Sequence, residues 1–174
     1  DLLRNNRKQT GVGGMWSLFN WTRRSLRENM PVDQFVREII TAQGSTLQNG
    51  PANYYRIARK PTDLAETTAQ VFLGVRIQCA RCHHHPYESY SQSDYYGLAA
   101  FFTRVGTKNN SKFDVLGGNS IVQLNSSGSI KHPRFGKTMA PTPLAGKPID
   151  TEGVHDLRRP LADWLTAPDN KLFC

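Results

Sequence analysis

Residues 68–102 read TAQVFLGVRIQCARCHHHPYESYSQSDYYGLAAFF, and the character of the fold turns on this stretch. Before the cysteines, DLAETTAQVFLGV carries Leu64, Val71 and Phe72 at helical spacing, with Pro61 at the start and Thr62 or Asp63 able to cap. After them, Ser91 or Ser93 can cap QSDYYGLAAFFTRV, whose Tyr95, Leu98, Ala99 and Phe102 recur on one helical face. Two helices therefore flank a short non-helical segment that holds two cysteines and three consecutive histidines.

Working outward gives more helix. WSLFNWTRRSLREN (16–29) reads as an amphipathic helix with Trp16, Phe19 and Leu26 as its apolar positions. Pro31 then opens a second helix, placing Val32, Phe35, Val36 and Ile39 on one face before Gly44 stops it. GSTLQNGPANYYRIARKPTD is a loop by composition, with a short helical turn at Tyr54, Tyr55 and Ile57. Beyond residue 106 the period changes: SIVQL alternates, NSSGS reads as a turn, and SIKHPRF reads as a second strand, which together predict a small hairpin. DLRRPLADWLTA (156–167) returns to helical spacing with Leu157, Leu161, Trp164 and Leu165, and Pro160 near the first turn.

The fold expected is mainly α with a small β-hairpin (α+β), about five helices around one core, rich in loops. A length of 174 residues suits one domain. Within it, residues 1–105 form a helical part with the cysteine motif, 106–150 a loop and hairpin, and 151–174 a C-terminal helix leading to a domain not included. The chain opens on Asp1 and ends on Cys174 directly behind that helix, so a piece of a larger protein is the expectation.

The net charge of +8 is spread over single or paired cations such as Arg23 and Arg24 or Arg158 and Arg159. No helix-long basic stripe or nucleic-acid motif accompanies it, so a solvated basic surface is expected in place of nucleic-acid binding. No apolar run approaches the roughly 18 residues of a membrane span. Neither a Ser-His-acid arrangement nor a paired-carboxylate signature is readable, and GVGG at 11–14 lacks the rest of a nucleotide fingerprint. The sequence leaves open whether the chain is an enzyme.

The chemistry sits at Cys79, Cys82 and His83, a C-x-x-C-H motif. In c-type haem attachment two thiols add across the porphyrin vinyl groups and the adjoining imidazole takes the iron, so this motif fills all three roles. Met139, Met30, His132 and His155 are the candidate sixth ligands, since a thioether or second imidazole would make an electron-transfer site. Zinc is the rival, with Cys79, Cys82, His83 and His85 as a Cys₂His₂ set, or His132 or His155 supplying an imidazole. A thioredoxin-like pair would need a strand before it where a helix is predicted, and a Cys79–Cys82 disulfide would close a small, strained ring. His85 is too near in the chain to reach the opposite haem face and reads as a hydrogen-bonding residue behind the ligand, or as ligand to a different metal.

These residues resemble a family, the Planctomycete-type cytochrome-associated domain of unknown function found in large exported proteins. MPVDQFVREIITAQGS, PANYYR, the 68–102 stretch, KHPRFGKTMAPTPLAGK and DLRRPLADWLTAPDN carry the resemblance, and within the stretch Phe72-Leu73-Gly74, Arg76, Cys79-Ala80, Cys82-His83 and His85-Pro86 are its core. The family commonly has an acidic or amide residue where this chain has His84. The resemblance implies a haem-bearing redox module, periplasmic or at the cell surface. Its partners would be a redox protein or other domains of the same polypeptide. Apart from the resemblance, the basic surface and Tyr-rich loops suit a binding or assembly module that meets an anionic polysaccharide. The resemblance also implies that residues 156–174 lead into a following helical domain.

Overall fold

In a computed structural model of the chain, residues 3–109 and 119–173 are described. They divide into two compact units, one built from residues up to Arg59 together with Val105–Leu124, the other from Lys60–Arg104 together with residues from Asn125 onward. Six α-helices and one three-stranded antiparallel sheet are present among the described residues, so the fold is mainly α with a small β part. Cys174 lies outside the described residues.

In the first unit, α1 (Arg7–Arg27) begins a full two turns before Trp16 because Asn6 caps it, its side chain accepting from Gln9 N at 3.0 Å. Gly11 interrupts the helical geometry with φ 67° and ψ 173°, a conformation open to glycine, and the helix resumes beyond it. The apolar face read from the sequence is the wrong one. Trp16, Phe19 and Leu26 are 52%, 47% and 73% exposed, and the inward face is Thr10, Gly14, Leu18, Trp21 and Ser25. The reason is close approach: a 3₁₀ turn at Gly50–Asn53 lies against this small-residue face, where a Cβ on Gly50 would stand 2.6 Å from Ser17 O and 2.7 Å from Trp21 Cβ. Shape, more than hydrophobicity, selects the face.

Helix α2 (Val32–Ile40) buries Val36, Ile39 and Ile40, while Phe35 stacks on Trp21 with centroids 4.6 Å apart and Val32 stays exposed. The expected short turn at Tyr54–Ile57 is α3, and the Tyr55 hydroxyl donates to Ile40 O. The sheet runs β1 (Gly44–Ser45), β3 (Ser120–Leu124), β2 (Val105–Asn109), all antiparallel, with Val122 central. SIVQL is thus a strand, but the hairpin with SIKHPRF is not formed. β3 has both edges filled by β1 and β2, and Pro133 lacks the N–H that a ladder needs.

In the second unit, α4 (Pro61–Phe72) buries Leu64, Ala65, Thr68, Ala69 and Phe72 and packs on α5 (Gln92–Ala100). It is closed by Gly74 at φ 67°, with the amides of Leu73 and Val75 both donating to Ala69 O at 3.1 Å. Ser91 makes a capping box at the start of α5: its Oγ accepts from Asp94 N at 3.2 Å, and Asp94 Oδ2 accepts from Ser91 N at 2.7 Å. Tyr95, Leu98, Ala99 and Phe102 are all buried, as the periodicity predicts. Helix α6 (Arg158–Leu165) buries Leu161, Ala162 and Leu165, and the buried Arg158 grips Asp156 through Nε at 2.8 Å and Nη2 at 2.9 Å.

Candidate functional site

Between α4 and α5 the chain makes a 3₁₀ turn at Gln78–Arg81. Ile77 and Ala80 are fully buried and anchor it, which turns Cys79 and Cys82 outward; both thiols are exposed and unpaired. The amides of Cys82 and His83 lie 3.3 and 3.4 Å from Cys79 O, so the segment C-x-x-C-H is one compact turn. Its other side is tied to α5 by Gln92 Nε2, which donates to Arg81 O at 2.8 Å. The Arg81 guanidinium stands 4.0 Å from Glu66 Oε1, the same oxygen that accepts the Tyr95 hydroxyl at 2.6 Å. Burial, then the hydrogen bond to Glu66, pushes the Tyr95 phenol above its ordinary range, and burial does the same to Tyr90.

The histidines separate by what their ring nitrogens meet. His83 Nδ1 is 2.6 Å from His84 O, and a carbonyl only accepts, so Nδ1 carries the proton and Nε2 keeps a free lone pair. That is the arrangement of a metal-ligating imidazole, whose other nitrogen donates to a backbone carbonyl. His85 Nδ1 instead accepts from Tyr87 N at 3.3 Å and Glu88 N at 3.0 Å, which leaves the proton on Nε2. His85 thus caps its own loop, and its N–H donates to Tyr90 O at 2.9 Å through the backbone.

His132 behaves like His85: Nδ1 accepts from Arg134 N at 3.2 Å, so Nε2 carries the proton and the ring is a donor as it stands. It is nonetheless drawn to the motif. A cleft of about 230 Å³ is lined by Cys82, His83, His84, Gln92, Ser93, His132, Arg134 and Phe135. His132 reaches it because Ile130–Met139 folds back on itself, with His132 N donating to Lys137 O at 2.8 Å and Met139 N to Ile130 O at 2.9 Å. Met139 lines a neighbouring cleft together with His132 and Phe135. His155 is exposed and lines neither, and Met30 belongs to the first unit. Among the described residues no three of His, Cys, Asp and Glu are gathered as a metal-holding group. Covalent attachment through thiols asks for only one imidazole on the metal, so it does not depend on such a cluster.

Sequence reasoning missed Arg134, Phe135 and Gln92 at this cleft. Arg134 and Phe135 come from some fifty residues downstream, a distance at which no spacing rule operates. The Glu66–Tyr95 link was unmarked too, although Tyr95 stood on the predicted buried face.

No curated protein and no solved structure matches this chain. A family model described as PSCyt2, protein of unknown function (DUF1549), matches residues 1–107, which include the whole cysteine turn and exclude His132 and Arg134. Since the match takes in well over half of the 174 residues, the chain belongs to the PSCyt2 family of proteins of unknown function.

Proposed function

We infer that this chain is a c-type haem module of an exported multidomain protein, serving electron transfer or redox sensing. The observation that carries the reading is the 2.6 Å contact between His83 Nδ1 and His84 O, which in the neutral ring assigns the proton to Nδ1 and would leave Nε2 for iron. The two thiols fit the same group. They are exposed, unpaired and fixed on one turn by the buried Ala80, so each can add its sulfur and hydrogen across a porphyrin vinyl group without unfolding the site. The cytochrome abbreviation in the family's name is consistent with this.

Haem, when bound, supplies one-electron chemistry; the chain supplies position. Cys79 and Cys82 would anchor the ring edge and His83 would hold the metal, while the Glu66, Arg81 and Gln92 contacts keep the turn in place. His132, carrying its proton on Nε2, would act as a donor in the adjoining cleft, and Met139 in the neighbouring cleft would be the candidate thioether of the same unit. Because attachment of this kind is made outside the cytoplasm, a periplasmic or surface location follows, with a redox protein or neighbouring domains as partners.

The test is to express the chain behind an export signal in cells that mature c-type cytochromes, then record a pyridine haemochrome spectrum and an intact mass. A mass gain of one haem that disappears in Cys79→Ser/Cys82→Ser is expected. Haem-free material carrying stoichiometric zinc would overturn the reading in favour of a structural zinc site on Cys79, Cys82 and His83.

A further inference from the structure

Residues 125–149 contain Lys131, Arg134, Lys137 and Lys147 and not one carboxylate. Three of these cations fall on the Ile130–Met139 turn, all exposed, with Phe135 between them at 68% exposure. The turn is pre-organised. Lys131 bridges to Thr138, Gly136 N donates to His132 O at 2.9 Å, and the buried His132 is the pivot on which the Phe135 ring rests at 4.7 Å. Arg134 lies over the same ring at 5.5 Å. Arg134 and Phe135 also line the cleft that holds Cys82 and His83. The one acid lining the neighbouring cleft, Asp94, is already engaged by the Ser91 amide at 2.7 Å and hydroxyl at 2.6 Å.

The geometry points to a docking surface: the Lys131–Lys137 turn is where an acidic partner protein seats against the Cys82–His83 site to exchange electrons. This rests on the reading of residues 79–83 as a redox centre. Three features argue for a protein over an anionic polymer of sugars. A rigid aromatic flanked by arginine is the type of residue pair that anchors protein interfaces. The cations surround that anchor, as in an interface whose charge steers encounter and whose centre supplies the hold. The patch also adjoins the cleft of Cys82 and His83, where an electron carrier, unlike a polymer of sugars, would have something to exchange.

The haem-free chain offers a direct test, because its own thiols report the local field. Their rates would be compared for a dianionic aromatic disulfide, 5,5′-dithiobis(2-nitrobenzoate), and a neutral one, 4,4′-dithiodipyridine. The anionic reagent should be favoured by about tenfold at low ionic strength, with the preference lost as salt shortens the Debye length. Arg134→Glu/Lys137→Glu should reverse the preference while the neutral reagent reacts as before, which also shows that the turn still folds. Binding of a glutamate–tyrosine copolymer, labelled and titrated against the same proteins, should be lost in the charge-reversed form and weakened in Phe135→Ala.

An unchanged reagent preference on charge reversal overturns the proposal. So does retention on heparin that is indifferent to Phe135→Ala, with no binding of the copolymer. Failure of haem attachment in exported material is a separate result and leaves these rates unaffected.

Discussion

His83 and His85 stand two residues apart and carry their protons on opposite nitrogens, because one faces a carbonyl and the other faces two amides. That difference leaves Nε2 of His83 without a proton in the neutral ring, while the ring of His85 is spent on capping its own loop. In the neutral form, long-range ¹H–¹⁵N spectra should find His83 protonated at Nδ1 and His85 at Nε2; the same tautomer at both positions would contradict the assignment. His85→Ala should cost no more than about 1 kcal/mol, since the Tyr87 and Glu88 amides can turn to water, and should leave haem content unchanged. Tyr95 makes a second prediction at this scale. Its phenol, shifted upward from 10.0 by burial and by Glu66, stays protonated in the folded chain after the unfolded chain has begun to ionise. Its contribution to stability is therefore complete below about pH 10 and falls as the pH climbs above it. Denaturant melts across that window should show the decline, and Tyr95→Phe should flatten it while lowering neutral-pH stability by about 1 kcal/mol.

At the scale of elements, the capping box of α5 fixes where the helix begins and hence how Gln92 reaches the carbonyl of Arg81 on the cysteine turn. Ser91→Ala should destabilise by about 1 kcal/mol, read as a shift in denaturation midpoint at unchanged slope. It should also raise thiol reactivity, as Gln92 loses its register. Ser91 was one of two caps the sequence offered for α5, and there cap and period agreed; α4, α6 and the SIVQL strand were legible from period alone, since α4 starts at Pro61 behind Lys60 with no side-chain cap bond, which puts Thr62 and Asp63 inside its first turn. Helix α1 was not, for two reasons. Its cap, Asn6-x-x-Gln9, precedes a glycine-rich stretch that reads as a loop, and its buried face is chosen by how closely Gly50 can approach Ser17. Large apolar residues at 16, 19 and 26 pointed the other way. The hairpin failed on a different count: alternation marks a strand, but which strand it joins depends on what else can reach its edges. Here Gly44–Ser45 and Val105–Asn109 occupy the two edges of β3. Of the site, the three motif residues were readable, and the cleft beside them was not, since its far wall is made by a turn with no sequence tie to the motif.

At the scale of the whole molecule, neither unit is a continuous piece of chain, and the family match ends inside β2. Residues 1–107 therefore hold α1 through α5, β1 and the first part of β2, but not β3. Among the described residues β1 and β2 each pair with β3 and not with each other, so a chain cut after residue 107 keeps β1 and part of β2 and loses the strand between them. It also loses Val122, which is buried at the centre of that sheet, and α6 with Leu161 and Leu165 from the second unit. Exposing those faces removes three core side chains, each worth about 1.5–3 kcal/mol when buried, a large part of the 5–15 kcal/mol that keeps an ordinary domain folded. A protein ending at residue 107 should then give helical circular dichroism without a cooperative urea transition, whereas the full chain should unfold cooperatively. A sharp transition in the short form would mean that the matched segment is self-sufficient, and that the downstream turn carrying His132, Arg134 and Phe135 is an addition to a domain already complete.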